Sequence, residues 1–187
     1  TRLNDKIFPK LRAAVVASKS ARLILRDNNG YMKNGYLIDH GVAGDSTQGT
    51  ISSLAKALKI KKAHIIPIGG LADKVKIVDK GVVLFVLDDY CGSGTHLGDC
   101  VDMVVKEFTT LGDQWYEDVH LLVGAAVVAD AEKLPIDRHP GVTVEGVYGM
   151  LLGSRFRPLS AESGVFDTDR EREDAKEMLS AIGRALM

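Results

Sequence analysis

Residues 82–100 read VVLFVLDDYCGSGTHLGDC. Six apolar residues run without a break into two adjacent aspartates, and a Gly-Ser-Gly-Thr tract at 92–95 opens onto a helical pattern. A continuous apolar run of this length suits a strand buried on both faces, which is the condition of a strand inside a parallel sheet. The spacing predicts a strand over 82–87, a loop over 88–96, and a helix from Thr95 to about Leu111 that turns Leu97, Val101, Val104, Val105 and Phe108 toward the core.

Working outward from that unit, strands and helices alternate. Upstream, YLIDHGVAGDSTQGTISSLAKALKI reads as a short strand, a glycine-rich loop and a helix with Ile51, Leu54, Ala55 and Leu58 on one face. The strand AHIIPI follows, and GGLADKVKIVDKG (69–81) reads as a mobile excursion or a β-ribbon. Downstream, VHLLVGAAVVA is a second buried strand and VTVEGVYGML a late one. The tail DTDREREDAKEMLSAIGRALM is a terminal helix capped by Thr168 or Asp169. At the N-terminus, KIFPKLRAAVVASKSARLIL suggests a helix with Pro9 in its first turn, leading into a strand over 21–25. The expected fold is therefore α/β, a doubly wound, mostly parallel sheet flanked by helices in one domain over 1–187. In such sheets ligands sit beyond the carboxyl ends of the strands, where residues 88–96 fall.

Composition narrows the partners. Lysine and arginine total 24 against 25 acidic residues, so no global field draws the chain to nucleic acid or to a membrane surface. Any phosphate binding has to be local. No stretch reaches the roughly 18 apolar residues of a membrane span, and TRLNDKIFPK lacks the form of a signal peptide. The two cysteines, Cys91 and Cys100, form neither a disulfide framework nor a zinc spacing, and the expected compartment is the cytoplasm. The absence of an initiator Met fits a processed product or a piece of a longer chain or assembly.

The loop itself carries chemistry. Gly92, Ser93, Gly94 and Thr95 lead into a helix whose first amides have no intrahelical partner and whose dipole favours an anion. Glycines let backbone approach a phosphate, and the hydroxyls of Ser93 and Thr95 add donors. Hydrogen bonds to a charged group contribute roughly 1.5–3 kcal/mol each. Asp88 and Asp89 do the opposite work, since carboxylates accept hydrogen bonds from sugar hydroxyls or hold Mg²⁺. A ligand with a phosphate at one end and a diol in its middle, such as ribose 5-phosphate, meets both demands. The tract is not a Walker loop, for it has no Gly-Lys-Ser/Thr, and it is not the dinucleotide fingerprint. Each half also has a plain structural use, the aspartates as turn formers and the Gly-Ser-Gly-Thr as an ordinary loop.

VVLFVLDDYCGSGT resembles the signature of the type I phosphoribosyltransferase superfamily: an apolar strand, two acidic residues, three spacers and a short Ser/Thr and Gly loop. The resemblance runs over roughly residues 36–130 and implies binding of phosphoribosyl pyrophosphate (PRPP). By position, Asp88 and Asp89 match the ribose-binding acids, with a catalytic and an indirect Mg²⁺-binding role. Gly92, Ser93, Gly94, Thr95 and His96 match the 5'-phosphate loop, His96 standing where a Thr is usual. LIDHGVAGDSTQGTISSLAKAL is similar to the superfamily's strand, pyrophosphate loop and helix, with Gly44, Asp45, Ser46 and Thr47 at the loop. Lys74, Lys76 and Lys80 occupy the place of the mobile catalytic loop. DDYCGSGT and the C-terminal tail together resemble divergent phosphoribosyltransferase-like domains of bacterial conflict and defence systems.

Two functions follow from the resemblance. One is a phosphoribosyltransferase that releases pyrophosphate with Mg²⁺ as cofactor; the other is a non-catalytic module sensing PRPP or a nucleotide, or an effector in a defence assembly, with a homo-oligomer or protein assembly as its setting. A partner-binding scaffold with a vestigial site is a third use of the same fold. Other residues have structural readings beside functional ones. His40 before the glycine-rich loop is a candidate base or a hydrogen-bonded structural histidine, and the same holds for His64 and His120. Cys91 is a thiol activated by a helix terminus or an inert small hydrophobe. DRHPG at 137–141 reads as a turn, and Trp115 and Tyr116 as packing residues.

Overall fold

The computed structural model describes residues 6–41, 47–75, 81–110, 115–152 and 168–186. They fall in two compact units, Thr1–Leu151 and Leu152–Met187.

The first unit is built on a parallel sheet. Its strands are β1 (Gly35–Asp39), β2 (Ile65–Pro67), β3 (Val82–Cys91), β4 (Val119–Val128) and β5 (Thr143–Leu151), in the order β2-β1-β3-β4-β5. Every pairing is parallel, with Gly35 opposite Val83, Val82 opposite Val119, and His120 opposite Thr143. Val82 to Leu87 are each 0% exposed, because the period of two sends them alternately to two cores. Val82, Leu84 and Val86 join Leu97, Val101, Val104 and Phe108 of α4 (Thr95–Thr109). Val83, Phe85 and Leu87 join Phe8, Leu11 and Val15 of α1 (Phe8–Ala17) and Ile51, Leu54 and Leu58 of α2 (Thr47–Leu58). Burying each such side chain contributes roughly 1.5–3 kcal/mol relative to exposure, so β3 is firmly anchored between the two cores.

This order decides where a ligand can sit. From β1 the chain winds through α2 to β2 on one side, and from β3 through α4 to β4 on the other. The connections leaving β1 and β3 therefore diverge beyond the carboxyl ends of two adjacent strands, the crevice where doubly wound sheets bind ligands.

Two segments depart from the expectations. No strand forms over 21–25: Lys19–Leu23 is a 3₁₀ turn. Ser18 Oγ accepts from the Ala21 amide at 3.2 Å, and Glu145 of β5 accepts from the amides of Lys19 at 2.8 Å and Ser20 at 3.1 Å. Within 21–25 it is Asn34 that takes groups a ladder would need, its Oδ1 accepting from the Leu25 amide at 2.7 Å and its Nδ2 donating to the Leu23 carbonyl at 2.8 Å. In GGLADKVKIVDKG, expected as a mobile excursion or a β-ribbon, Leu71–Lys74 forms the short helix α3, and residues 76–80 lie outside the described residues. Gly70 turns in the left-handed region at φ 77°, Glu107 of α4 accepts from the Gly70 and Leu71 amides at 2.8 and 3.2 Å, and Leu71 is fully buried. Lys74 ends that helix; Lys76 and Lys80 lie outside the described residues.

The second unit contains α5 (Asp169–Leu186). Thr168 is its cap, accepting from the Glu171 amide at 3.2 Å while Glu171 Oε2 accepts from the Thr168 amide at 3.1 Å, a reciprocal capping box. The Arg172–Asp169 and Lys176–Glu173 pairs follow one turn apart. Among the described residues, no helix is long and apolar enough to cross a membrane.

Candidate functional site

The site is built where β3 ends. The strand runs on to Cys91, so Asp88 and Asp89 are its last turns of the pleat rather than a loop. The reason is pairing with β4, which continues through Asp88 opposite Ala125 and Tyr90 opposite Val127. The chain then turns through Gly92 to Gly94, where Gly94 adopts φ 79°. A Cβ at Gly94 would run into the carbonyl oxygen of Lys133. That glycine is thus required by its conformation and by the loop after β4, a reason the sequence reading, which reserved the space for an anion, did not contain.

The first bond of α4 runs from the Gly98 amide to the Gly94 carbonyl at 2.8 Å, which puts the amides of Thr95, His96 and Leu97 ahead of the helical ladder. Ser93 Oγ donates to Thr95 Oγ1 at 3.0 Å and accepts weakly from the Thr95 amide at 3.4 Å. Ser93, Gly94 and Thr95 line a cavity of about 400 Å³ whose far wall is the segment after β4, with Lys133 and Arg138 beside Glu132 and Asp137. The lining charges balance, Lys133 and Arg138 against Glu132 and Asp137, so any draw on a small anion there comes from the backbone donors. Arg138 is held in place by a two-pronged bond to Asp102 at 2.8 and 2.7 Å, and His139 reaches the same carboxylate at 2.7 Å. DRHPG is therefore a turn, as expected, that also lends a cation to the cavity.

Asp88 is a carboxyl perturbed by its place at the end of β3. Its side chain is 14% exposed. Burial pushes its pKa above the usual range, the Asp89 carboxyl adds to the rise, and the Asp89 amide, donating to Asp88 Oδ1 at 2.7 Å, opposes it together with His40. A carboxyl held this way is reluctant to carry charge alone and gains most from a partner that supplies hydrogen bonds or positive charge.

The end of β1 supplies that neighbourhood. His40, just beyond Asp39, is buried, and its Nε2 lies 3.0 Å from the Leu87 carbonyl. A carbonyl only accepts, so Nε2 carries the proton and Nδ1 is left with its lone pair. His96 Nε2 lies 3.1 Å from that Nδ1 and therefore donates to it. The two rings meet edge-on with centroids 5.0 Å apart. His96 Nε2 also stands 3.9 Å from Cys100 Sγ and 3.9 Å from Asp88 Oδ2. His40, His96 and Cys100 thus converge, with donor atoms all within 4.8 Å of one another.

The structure brings together Asp88, Asp89, Gly92, Ser93, Gly94, Thr95 and His96, and adds His40 and Cys100. The cysteine spacing in the sequence gave no metal pattern, because the other two donors come from α4 and from a strand 60 residues upstream of Cys100; the one visible signal was the i, i+4 placement of His96 and Cys100 on a single helix face. Cys91 is not activated: burial raises its pKa, Asp88 adds to the rise, and the Gly94 amide only opposes it. Burial likewise pushes the Cys100 thiol up to about 12, with Asp88 and Asp99 adding to it. Thr47 opens α2, whereas Gly44, Asp45 and Ser46 lie outside the described residues. His64 accepts a structural role, with Nδ1 3.1 Å from the Gly35 carbonyl and its ring stacked on Tyr36 at 4.5 Å. Trp115 packs on Phe108 at 5.4 Å; the Tyr116 side chain lies outside the described residues.

An acidic pair at the end of the central strand, followed by a glycine turn into a helix at the divergence of β1 and β3, is the arrangement the superfamily resemblance implied. The sequence model of the PRTase-CE family matches residues 2–187. The chain belongs to the PRTase-CE family. Its fold is type I phosphoribosyltransferase-like, and the family match takes in both units of the PRTase-CE chain. Among solved structures, a hypoxanthine-guanine-xanthine phosphoribosyltransferase is similar, with a TM-score of 0.40 and 15% identity over 80% of this chain and 76% of that one. No curated protein matches the sequence.

Proposed function

We propose that this PRTase-CE chain binds PRPP and transfers its phosphoribosyl group to an acceptor, releasing pyrophosphate. Membership of the family supports a phosphoribosyltransferase-type function. The observation that carries the reading to PRPP is the position of Asp88, half-buried at the end of β3 and directly ahead of the glycine turn whose Ser93, Gly94 and Thr95 line the open cavity.

In this reading the 5'-phosphate is held by Gly92, Ser93, Gly94, Thr95 and His96, and the ribose diol donates to Asp88 and Asp89. Such hydrogen bonds relieve the cost of a buried carboxylate. Pyrophosphate is assigned to the segment after β1, with Gly44, Asp45, Ser46 and Thr47. The bond from ribose C1 to pyrophosphate breaks and a bond from C1 to the acceptor forms, with positive charge developing on the ring in between. Asp88, in a place shielded from water, stabilises that charge more than it would in solvent. The donor set fits Mg²⁺, since Asp88 Oδ1 is taken by the Asp89 amide while Oδ2 and the Asp89 carboxylate remain as hard oxygen donors. Bound with PRPP, Mg²⁺ would supply charge neutralisation for the leaving pyrophosphate.

The test is calorimetric titration of PRPP and of ribose 5-phosphate, each with and without Mg²⁺. Asp88→Asn combined with Asp89→Asn should weaken PRPP by tenfold or more, about 1.4 kcal/mol; unchanged binding would remove the ribose assignment. PRPP should bind more tightly than ribose 5-phosphate, because two further phosphates gain partners. A second reading, a non-catalytic sensing or effector module, is favoured by one observation: His96 turns its Nε2 to His40 and away from the turn it would serve as a phosphate ligand. Equal affinities for the two ligands, with no pyrophosphate released across a panel of bases and nucleotides, would establish that second reading and sink the transferase.

A further inference from the structure

We propose that His40, His96 and Cys100 form a transition-metal site, with Zn²⁺ as the ion, bound through His40 Nδ1, His96 Nε2 and Cys100 Sγ. The proposal goes beyond PRPP binding and does not depend on it; with His96 Nε2 on the metal, the 5'-phosphate is left to the amides and hydroxyls of residues 92–95.

The geometry is close to what a tetrahedral ion needs. Zn–N distances of about 2.0 Å and Zn–S of about 2.3 Å place tetrahedral donors about 3.3–3.6 Å apart. Here His40 Nδ1 and His96 Nε2 are 3.1 Å apart, His96 Nε2 and Cys100 Sγ 3.9 Å, and all three donor atoms lie within 4.8 Å of one another. Rotation of the exposed His96 ring adjusts its own two distances, and a turn of the Cys100 thiol about χ1 closes the separation from His40. Two imidazoles and a thiolate select a borderline or soft ion over Mg²⁺ or Ca²⁺, which want oxygen.

The surroundings are also those of a metal site. His40 already donates its far nitrogen to the Leu87 carbonyl, the hydrogen bond that fixes the tautomer and aims the other nitrogen of a metal-binding histidine. His96 and Cys100 project from one face of α4, one turn apart, and the backbone of both is fixed by the core packing of Leu97 and Val101. His96, with its side chain 61% exposed, provides the way in from solvent, while Cys100 and His40 are buried. As the ion enters, the proton that His96 Nε2 donated to His40 passes by way of solvent to His96 Nδ1, leaving Nε2 a neutral ligand, and the thiol proton leaves to solvent. Three protein donors leave one corner for a solvent or ligand oxygen, and Asp88 Oδ2, 3.9 Å from the same His96 Nε2, adds the second negative charge that balances a dication.

Co²⁺ is the probe, since a cobalt–thiolate bond gives a near-ultraviolet charge-transfer band that imidazole and carboxylate ligands do not. The full chain, stripped with chelator, should take up one equivalent of Co²⁺ with that band, and Zn²⁺ should displace it. Cys100→Ser should abolish the band, Cys91→Ser should keep it, and His96→Gln, which alters an exposed side chain and so spares the fold, should weaken Co²⁺ at least tenfold. The proposal is overturned by a wild-type chain without the band, by a band that survives in Cys100→Ser, or by a His96→Gln affinity within twofold of wild type.

Discussion

Two clusters of histidine and carboxylate flank the helix α4, and they behave in opposite ways. At its start, Asp88, His40, His96 and Cys100 lie at the end of β3. On its next turns, Asp102 meets Arg138 and His139. Asp88 is 14% exposed and burial drives its pKa up; Asp102 is 40% exposed and the bond from Arg138 leads its carboxyl below the usual range, with His139 adding to it against a smaller effect of burial. Both carboxylates have a histidine in reach, so proximity does not separate them. What does is the balance of desolvation against a matched cation. Asp102 is satisfied by the protein itself and holds the loop after β4 in place. Among the described residues Asp88 has no Lys or Arg partner, the balance under which a carboxyl gains most from an added ligand.

The largest effect is expected where the two clusters share an element. Gly94→Val puts a branched side chain at a left-handed φ and against the Lys133 carbonyl, so it should displace both the turn after β3 and the loop that carries Arg138. A loss on the order of 2–4 kcal/mol in chemical denaturation is expected. A variant as stable as wild type would show that the two regions are not packed on one another.

Asp102→Asn should cost about 1 kcal/mol, the upper end for a partly exposed pair with two-pronged geometry. Its pH dependence has a definite sign. A carboxyl whose folded pKa lies below its ordinary value of 3.8 contributes stability that is present above that value and lost as pH falls through the folded one. The gap between wild type and Asp102→Asn in urea midpoint should therefore be full at neutral pH and close in acid. A gap independent of pH would remove Arg138 as its cause.

Asp88→Asn is predicted to do the reverse. Removing the charge from a largely buried carboxylate that has no Lys or Arg partner among the described residues should leave the unfolding free energy of the metal- and ligand-free chain unchanged or raise it by a few tenths of a kcal/mol, read by urea denaturation. A destabilisation as large as that of Asp102→Asn would collapse the contrast and make Asp88 a structural residue. Smallest of all, Cys91→Ser should leave ribose phosphate binding within twofold, because its thiol is held protonated by burial; strong loss would return Cys91 to the site.

The parts legible in the sequence are those governed by local pattern. An unbroken apolar run announces a strand buried on both faces, and β3 is that strand. The 3.6-residue spacing of Leu97, Val101, Val104 and Phe108 places α4, as that of Ile51, Leu54 and Leu58 places α2, and the choice of Thr168 or Asp169 as cap places the start of α5. The conjunction of two acids with a glycine turn before a helix marks the site. Where a distant residue competes for the backbone, local pattern loses: Glu145 draws 19–23 into a 3₁₀ turn, and Glu107 caps a helix in a segment that reads as an excursion.

Tertiary structure alone decided the chemistry around Asp88. Its raised pKa comes from burial under α4 and the end of β1, and the convergence of His40, His96 and Cys100 depends on β1 and β3 being neighbours in the sheet. Sequence pattern is periodic along one element and carries no term for which element comes to lie beside it. The choice between a glycine that serves an anion and one that serves the Lys133 carbonyl is of the same kind, since it is made by a loop 39 residues further along the chain.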